Sequence, residues 1–233
     1  MAIDVSKWTI TGNRFVGFFD ILGFKDLVER NDHETVVSKL NALKQTLANL
    51  ERACENETFM TKHALSETKA ITFSDSIIIF SKGDDVSDAC KIILDSGFLI
   101  QKAIENGLAI KGALSYGQIT VDFVNSLFFG RPIIDAYLLH DTLHLYSAVI
   151  DNKLEAKLNK MELPQLFSKR IISYKGNFKT GKITHKFIIP DTKKCFEKQY
   201  TSVTNLYESV SGSPRIYVDN TIDYLNSISK NYS

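Results

Sequence analysis

The sequence FFDILGF, at residues 18–24, places one carboxylate, Asp20, between an aromatic-rich apolar run and a glycine turn. The residues from 14 to 22 are aromatic and β-branched without polar alternation, which is typical of a strand buried in the centre of a sheet. A buried carboxylate is costly unless it is paired or binds a cation. Asp20 is therefore either a structural cap at the end of this strand or a ligand for a positive group.

The segments around this strand alternate between helical and strand patterns. Apolar residues recur with helical spacing over 25–52, with an interruption near 31–32. TKAITFSDSIIIFS, at residues 68–81, predicts a hairpin whose polar break holds a second carboxylate, Asp75. The remaining patterns predict a helix from 83–85 to 105, a strand over 108–121, a helix over 132–146, a short strand within 147–152 and a hairpin over 171–189.

Length and composition favour one domain over residues 1–233, because the chain has no repeat, linker or change of composition. The order of elements predicts an α+β fold with a central, mostly antiparallel sheet. With 28 basic and 27 acidic residues the net charge is +1, which argues against nucleic acid as the main partner.

The cysteines and the apolar runs bear on the compartment. Cys54, Cys90 and Cys195 are odd in number and form no C-x-x-C motif, so a disulfide scaffold or zinc site is not expected and a reducing compartment fits. No stretch reaches 18 consecutive apolar residues, and the first residues lack a secretory leader. We therefore expect a cytoplasmic protein that does not span a membrane.

The two carboxylates, Asp20 and Asp75, follow sequential strands, which are often neighbours in a sheet. If they converge, one pKa rises steeply unless a cation bridges them. Hard oxygen ligands without nearby His or Cys favour Mg²⁺ or Mn²⁺. The turn at Gly23 before a helix offers backbone amides to a phosphate, so the pair predicts metal-assisted phosphoryl or nucleotidyl chemistry. The structural alternative is a capping aspartate and an ordinary Ser-Asp-Ser turn.

Two histidines, His140 and His144, have the i, i+4 spacing of metal ligands on the predicted helix over 132–146. No third ligand accompanies them in the sequence. We therefore expect them to serve in packing or at the surface.

Four segments form an ordered set: FVGFFDILGF (15–24), FSDSIIIF (73–80), LAIKGALSYGQI (108–119) and FFGRPIIDAYLL (128–139). In this order they resemble the first metal motif, the second metal motif, the R-x-G-I-x-x-G strand and the W-G-x-x-V-N-x-A-x-R-M segment of class III nucleotide cyclases. Ser74 replaces the glycine of the second motif. The resemblance covers 15–140, leaving a C-terminal hairpin and helices over 150–233. It implies a ferredoxin-like core that forms a homodimer, with its active sites at the interface.

The resemblance also implies a cofactor and site residues. Asp20 and Asp75, assisted by the backbone carbonyl of Ile21, would hold two Mg²⁺ or Mn²⁺ ions. Nucleotide contacts are implied for the amides of Leu22, Gly23 and Phe24 and for the side chains of Lys111 and Lys175. The implied reaction is attack of a ribose 3′-hydroxyl on the α-phosphate of a nucleoside triphosphate, giving a 3′,5′-cyclic nucleotide and pyrophosphate.

Several positions depart from the purine cyclase pattern. The family's two adenine-reading residues, its ribose-orienting asparagine and its transition-state arginine correspond to Ile71, Leu127, Ile134 and Leu138. Apolar side chains cannot make those hydrogen bonds, which argues against ATP and GTP. The altered set is similar to the bacterial pyrimidine cyclases of Pycsar anti-phage defence. That similarity implies a uridylate cyclase making cyclic UMP for a cyclic-nucleotide-activated effector, with a cytidylate cyclase making cyclic CMP as an alternative.

Three classes of function remain open from the sequence. The first is an active pyrimidine cyclase, favoured because both metal aspartates are present. The second is a non-catalytic, cyclase-like module that binds nucleotide and regulates a partner, favoured by the lost asparagine and arginine. A pure interaction protein is the third, and it would leave FFDILGF unexplained.

Overall fold

The structure is a computed structural model, and it describes residues 8–56, 66–208 and 210–232. The strands are β1 (Thr11–Ile21), β2 (Thr68–Phe73), β3 (Ser76–Ser81), β4 (Ile110–Asp122), β5 (Leu127–Gly130), β6 (Ala148–Ile150), β7 (Ile171–Phe178) and β8 (Gly181–Ile188). The α-helices are α1 (Phe24–Arg30), α2 (His33–Asn56), α3 (Val86–Glu105), α4 (Arg131–Thr142), α5 (Asn152–Leu158), α6 (Gln165–Ser168), α7 (Lys193–Asn205) and α8 (Ser213–Ile228). Short 3₁₀ helices span Leu206–Glu208 and Ser229–Tyr232.

The strands form one eight-stranded sheet in the order β2-β3-β1-β4-β6-β8-β7, with β5 also paired to β4. The β4–β6 pairing is parallel and the other pairings are antiparallel. β1 lies inside the sheet, between β3 and β4, and its residues 14–19 are buried. The predicted α+β class and mostly antiparallel sheet are therefore confirmed, and so is the central position of the first strand.

Helices cover both faces of β1. α3 contacts β1, β3 and β4, while α4 contacts β1 and β4. Phe18 packs against Tyr137 and His140 of α4, and it lies two residues before Asp20 on the same strand. Because alternate residues of a strand face opposite sides, Phe18 and Asp20 point to the α4 side. The fold therefore directs Asp20 toward the face that α4 covers.

The helix boundaries agree in part with the sequence patterns. The predicted helix over 25–52 is two helices, with the break at the expected place, where Asn31 is extended. α3 begins at Val86, because the Asp85 carboxylate accepts from the N–H of Asp88 and the Asp88 carboxylate accepts from that of Asp85. The predicted helix over 132–146 is wrong beyond residue 142, since Leu143 is extended.

The described residues contain no helix long and apolar enough to cross a membrane.

The largest group of buried apolar side chains joins the strands to α2, α3 and α8. A smaller group surrounds Trp8, Val16 and Phe80.

Gly112 of the K-G-A stretch is required by packing. It lies opposite Phe19 in the β1–β4 ladder, and a Cβ at this position would lie 2.2 Å from the Phe19 ring. Gly112→Ala is expected to lower the free energy of unfolding by about 1–3 kcal/mol through overpacking. Gly97→Ala in α3 is the control, because its nearest atom would be 3.4 Å away and alanine favours a helix. Urea denaturation of both variants measures the difference, and equal stabilities would contradict the packing argument.

Candidate active site

The two predicted acids lie together at one end of β1. Asp20 is opposite Ser76 in the β1–β3 ladder, and Ser76 is opposite Phe73 in the β2–β3 ladder. Ser74 and Asp75 therefore form a two-residue hairpin turn, with Ser74 in a left-handed conformation (φ 57°). The N–H of Ile21 donates to the Asp75 carbonyl at 3.0 Å, which ties this turn to the end of β1.

The electrostatics of Asp20 indicate a pair of acids without an adequate counter-charge. The pKa of Asp20 is raised to about 6, mainly by burial and next by the neighbouring charge of Asp75. Asp141 acts in the same direction, whereas Lys111 opposes the rise. Two carboxylates at a partly buried position, with the nearest cation too weak to restore the ordinary pKa, are suited to a bound positive ion.

Lys111 lies opposite Asp20 in the β1–β4 ladder, but its ammonium group is bonded elsewhere. Its Nζ donates to the carbonyl oxygens of Asp141 at 3.3 Å and of Leu143 at 3.0 Å, at the C-terminal end of α4. The side chain is only 5% exposed. Burial lowers the pKa of Lys111 to about 8, against the opposing charges of Asp141 and Asp20. In this structure Lys111 therefore stabilises the negative end of α4.

The phosphate cradle contains fewer free backbone amides in the structure than the sequence predicts. The N–H of Leu22 donates to the carbonyl of Ala109 at 2.8 Å, so this amide is not available to a phosphate. The structure therefore removes the Leu22 amide from the predicted cradle. Gly23, at φ 70°, precedes α1 in a left-handed conformation that favours glycine, and a Cβ there would meet no atom within 4 Å. The cradle is thereby limited to the amides of Gly23 and Phe24, where the chain turns into α1.

Lys175 does not join this group within one chain. It is exposed on the edge strand β7, which is separated from β1 by β4, β6 and β8. Four strand spacings amount to roughly 19 Å. Within one chain Lys175 is therefore far from the acids, because the hairpin lies at the far edge of the sheet, and its nucleotide contact stays a prediction that requires a second chain.

Lys179, at the tip of the β7–β8 hairpin, is the cation that the sequence analysis missed. Its Nζ lies 2.8 Å from Asp141 Oδ2, and its charge contributes to the lowered pKa of Lys111. The Lys179 N–H donates to the Thr142 carbonyl, and a bridge joins Phe178 to Leu143. Only these long-range contacts bring the hairpin tip to the end of α4. The Gly/Lys-rich turn signals a hairpin tip but not its destination.

The histidines do not form a metal pair. His140 is 4% exposed, and its ring packs 4.7 Å from the Phe18 ring. Burial lowers the pKa of His140 to about 4, so the ring is neutral near pH 7. His144 lies beyond the end of α4 and packs on Tyr217, so the two do not share a helical face. Their expected packing role agrees with this geometry.

Apolar side chains are exposed on α4 and β5. On α4, Ile134 is 52% exposed and Leu138 is 54% exposed, with Tyr137 between them on the same face. Phe129 of β5 is 57% exposed. We call Ile134, Tyr137 and Leu138 the α4 apolar face. It includes two of the positions where the cyclase pattern carries polar groups.

The described residues contain no group of three or more His, Cys, Asp or Glu side chains placed to hold a metal ion. Asp20 and Asp75 supply two carboxylates, and the carbonyl of Ile21 adjoins them in the chain. Mg²⁺ and Mn²⁺ are commonly bound by one or two carboxylates together with water and substrate phosphates. The donor set therefore fits a divalent ion that is shared with a nucleotide.

No protein-family model and no curated protein matches the chain. Among solved structures, the catalytic core of a rhodopsin-guanylyl cyclase with converted specificity, in complex with ATPαS, is 14% identical with a TM-score of 0.55, over 78% of this chain and 99% of that one. The guanylate cyclase domain of RhGC from Catenaria anguillulae, in complex with GTP, is 14% identical with a TM-score of 0.51, over 77% and 97%.

A bacterial light-regulated adenylyl cyclase is 13% identical with a TM-score of 0.50, over 84% of this chain and 98% of that one. At these identities the likeness shows a common fold. The chain thus shares the fold of class III adenylyl and guanylyl cyclase domains, and the fold that the four motifs predicted is confirmed.

Proposed function

We propose that this protein is a nucleotide cyclase that converts a nucleoside triphosphate into a 3′,5′-cyclic nucleotide and pyrophosphate. The single observation that carries this proposal is the convergence of Asp20 and Asp75 at the end of β1. The cyclase-like fold supports it, because the pair occurs where the four motifs assign the metal ligands.

In the proposed reaction the ribose 3′-hydroxyl loses its proton to solvent and its oxygen forms a bond to the α-phosphorus. The bond from that phosphorus to the β-phosphate oxygen breaks, and pyrophosphate leaves. Asp20 and Asp75, with the Ile21 carbonyl, would hold two Mg²⁺ or Mn²⁺ ions. Bound ions of this kind acidify a hydroxyl and neutralise a pyrophosphate leaving group. The amides of Gly23 and Phe24 orient the phosphates, which fixes the α-phosphorus relative to the hydroxyl.

Lys111 and Lys179 are the proposed cations for the triphosphate. Both lie at the C-terminal end of α4, bonded to groups of residues 141–143. To reach a phosphate, each must exchange these partners for the nucleotide. Lys175 retains a nucleotide role only if a second chain brings it to the site.

The proposed substrate is UTP, with CTP as the alternative. Ile71 and Leu127 are apolar at the two positions where the cyclase pattern carries its adenine-reading residues. This loss of polar contacts supports a substrate other than ATP or GTP. Together with the resemblance to Pycsar enzymes, it supports synthesis of cyclic UMP in the cytoplasm, as a signal to an effector in anti-phage defence.

A homodimer is part of the proposal. The α4 apolar face lies on the same side of the sheet as Asp20, because Tyr137 packs on Phe18. Burial of such a face against a second copy is worth about 25 cal/mol per Å² before the cost of association. The copies would then place their α4 helices beside each other's acids.

Leu138→Asp is expected to convert the dimer to a monomer and to remove most of the turnover. Burying an unpaired carboxylate at the interface opposes association. Val37→Asp is the control, because Val37 is also exposed on a helix but lies on α2. Sedimentation velocity and product formation are measured on both. A Leu138→Asp protein that remains dimeric and active contradicts the proposed interface.

A non-catalytic nucleotide-binding module is the second candidate. The observation that favours it is the apolar character of Ile134 and Leu138, which cannot stabilise a transition state. The proposed enzyme must supply that charge from another group, such as Lys179.

Incubation of the purified protein with each of the four ribonucleoside triphosphates and Mn²⁺, followed by chromatography, tests the proposed function. A cyclic UMP product that disappears in Asp75→Asn supports the uridylate cyclase, and a cyclic CMP product supports the alternative. Binding of a triphosphate without any cyclic product favours the non-catalytic module. Neither binding nor product rejects both.

A further inference from the structure

Two adjoining cavities lie away from the acid pair, the smaller between α3 and α7, and the larger between α6, the start of α7 and the 3₁₀ helix at Ser229–Tyr232. Their volumes are about 290 Å³ and about 550 Å³, and both are lined by Arg170 and Asp191. Arg170 immediately precedes β7, which is four strands from β1. Together the cavities have the size of a small-molecule site, which is typically 300–1,000 Å³.

The charge of this lining is strongly positive, although the whole chain carries only +1. The basic lining residues are Lys102, Lys169, Arg170, Lys193, Lys194 and Lys198. Asp191 is the acid among the described lining residues, and it pairs with Arg170. In the described part of the chain no carboxylate lies within ion-pair distance of Lys169, Lys193 or Lys194. Lysines gathered without counter-charges attract a multivalent anion.

Arg170 provides a second and independent observation. Its side chain is 7% exposed, and its guanidinium pairs with Asp191 and lies 5.7 Å from the Phe167 ring centre. Among the described residues, Arg170 Nε has no hydrogen-bond partner. Arg170 lines both cavities, and a planar guanidinium is the side chain best suited to recognise a phosphate group.

The first turn of α7 adds partial positive charge. α7 begins at Lys193, and its N-cap, Thr192, accepts a hydrogen bond from the N–H of Cys195. The preceding amides, at Lys193 and Lys194, have no acceptor within a helix. Phe98 lines the smaller cavity and Tyr232 the larger one, so each cavity also offers an aromatic ring to a group attached to the phosphate.

We propose that these cavities bind a small molecule that carries phosphate, at a site separate from the acid pair. We call Lys169, Arg170, Lys193, Lys194 and Lys198 the Arg170 site. A phosphate group contacts Arg170 and the lysines around it, and the concave shape favours a small molecule over an extended polyanion. The phosphate can belong to an inorganic ion or to a nucleotide, which present the same chemistry to these residues.

Binding of pyrophosphate to the full-length protein in EDTA and low salt is the test. Without divalent ions the acid pair repels pyrophosphate, so calorimetry reports the Arg170 site. Wild type is expected to bind one pyrophosphate per chain, and Lys193→Gln/Lys194→Gln is expected to weaken the affinity about tenfold. Lys160→Gln/Lys182→Gln is the control for charge, because both lysines are exposed outside the cavities. Added salt is expected to weaken binding in the wild type.

Alkylation of Cys195 locates the binding event. Cys195 lines the smaller cavity and is partly exposed, whereas Cys90 is buried. Pyrophosphate is expected to slow iodoacetamide labelling of Cys195, as read by peptide mass spectrometry, in the wild type and in the control variant. Tighter binding of UDP than of pyrophosphate identifies a nucleotide, and equal affinities identify an inorganic phosphate.

The proposal is overturned if the wild type does not bind pyrophosphate or UDP at millimolar concentration. Equal weakening in the two double variants, or unchanged labelling of Cys195 at saturating ligand, also overturns it. Binding of a single-stranded RNA in place of both small molecules does the same, because it assigns the lysines to an extended polyanion.

Discussion

Asp75→Asn is expected to lower cyclic nucleotide formation roughly 10³-fold while the protein remains folded. The amide retains the size of the carboxylate but loses the charge that holds a divalent ion. The turn at Ser74 and Asp75 is fixed by backbone bonds, including that from Ile21 to the Asp75 carbonyl, and these bonds do not depend on the side chain. Steady-state rates with Mn²⁺ and UTP, together with circular dichroism, measure both effects.

Asp20→Asn is expected to remove turnover to a similar extent and also to stabilise the protein in EDTA. The folded pKa of about 6 lies above the ordinary value of 3.8. An acid whose pKa is raised by folding contributes most stability when protonated, and that stability is lost as pH rises from about 4 to 6. At neutral pH the ionised Asp20 thus costs about 1 kcal/mol after allowance for its partial exposure.

Thermal melts in EDTA at pH 7 measure this second effect. A gain of about 1 kcal/mol corresponds to a rise in Tm of roughly 2–4 °C for a chain of this size. The difference from wild type is expected to shrink as pH falls from about 6 to 4. Glu29→Gln is the control, because Glu29 is an exposed acid on α1. Turnover equal to wild type in either asparagine variant would remove Asp20 or Asp75 from the proposed chemistry.

Lys91→Met is expected to lower the free energy of unfolding by about 3–5 kcal/mol. Lys91 Nζ lies 2.5 Å from Asp95 Oδ2 within α3, and the two side chains are 0% and 1% exposed. Thr68 of β2 also donates to Asp95. Removal of the lysine deprives the buried Asp95 carboxylate of its ammonium partner, and a neutral donor such as the Thr68 hydroxyl does not replace that charge.

Lys102→Met is the matched control on the same helix. Lys102 pairs with Glu105 at 2.7 Å, but 32% of its side chain is exposed, so its loss is expected to cost less than about 1 kcal/mol. Chemical denaturation of the two variants gives the comparison. A change of less than about 1 kcal/mol in the free energy of unfolding of Lys91→Met would contradict this prediction. It would mean that water reaches Asp95 or that its carboxylate becomes protonated at little cost.

The sequence predicted those elements whose pattern is local. β1 was identifiable from its unbroken run of apolar residues, and the β2–β3 hairpin from the polar break at Ser74 and Asp75. Because consecutive strands often pair, the approach of the two acids could be inferred as well. The extension of α4 to residue 146 failed, because its end depends on contacts of Leu143 with the distant β7.

The details of the site that depend on long-range contacts were not predictable. No local pattern shows that Lys111 donates hydrogen bonds to the carbonyls at the end of α4. Nor does one show that the Leu22 N–H donates to the Ala109 carbonyl. Lys175 was assigned from motif order alone, although its strand is at the far edge of the sheet. Lys179 reaches this region only through the packing of a hairpin tip.

Binding of Mn²⁺ measured by electron paramagnetic resonance, with a non-hydrolysable UTP analogue present, tests most directly whether Asp20 and Asp75 hold divalent ions together. The wild type is expected to bind Mn²⁺ and so to remove the signal of the free ion, whereas Asp20→Asn and Asp75→Asn are each expected to leave most of the ion free. Glu29→Gln should behave as the wild type. Uptake by both asparagine variants at the level of the wild type would contradict the account.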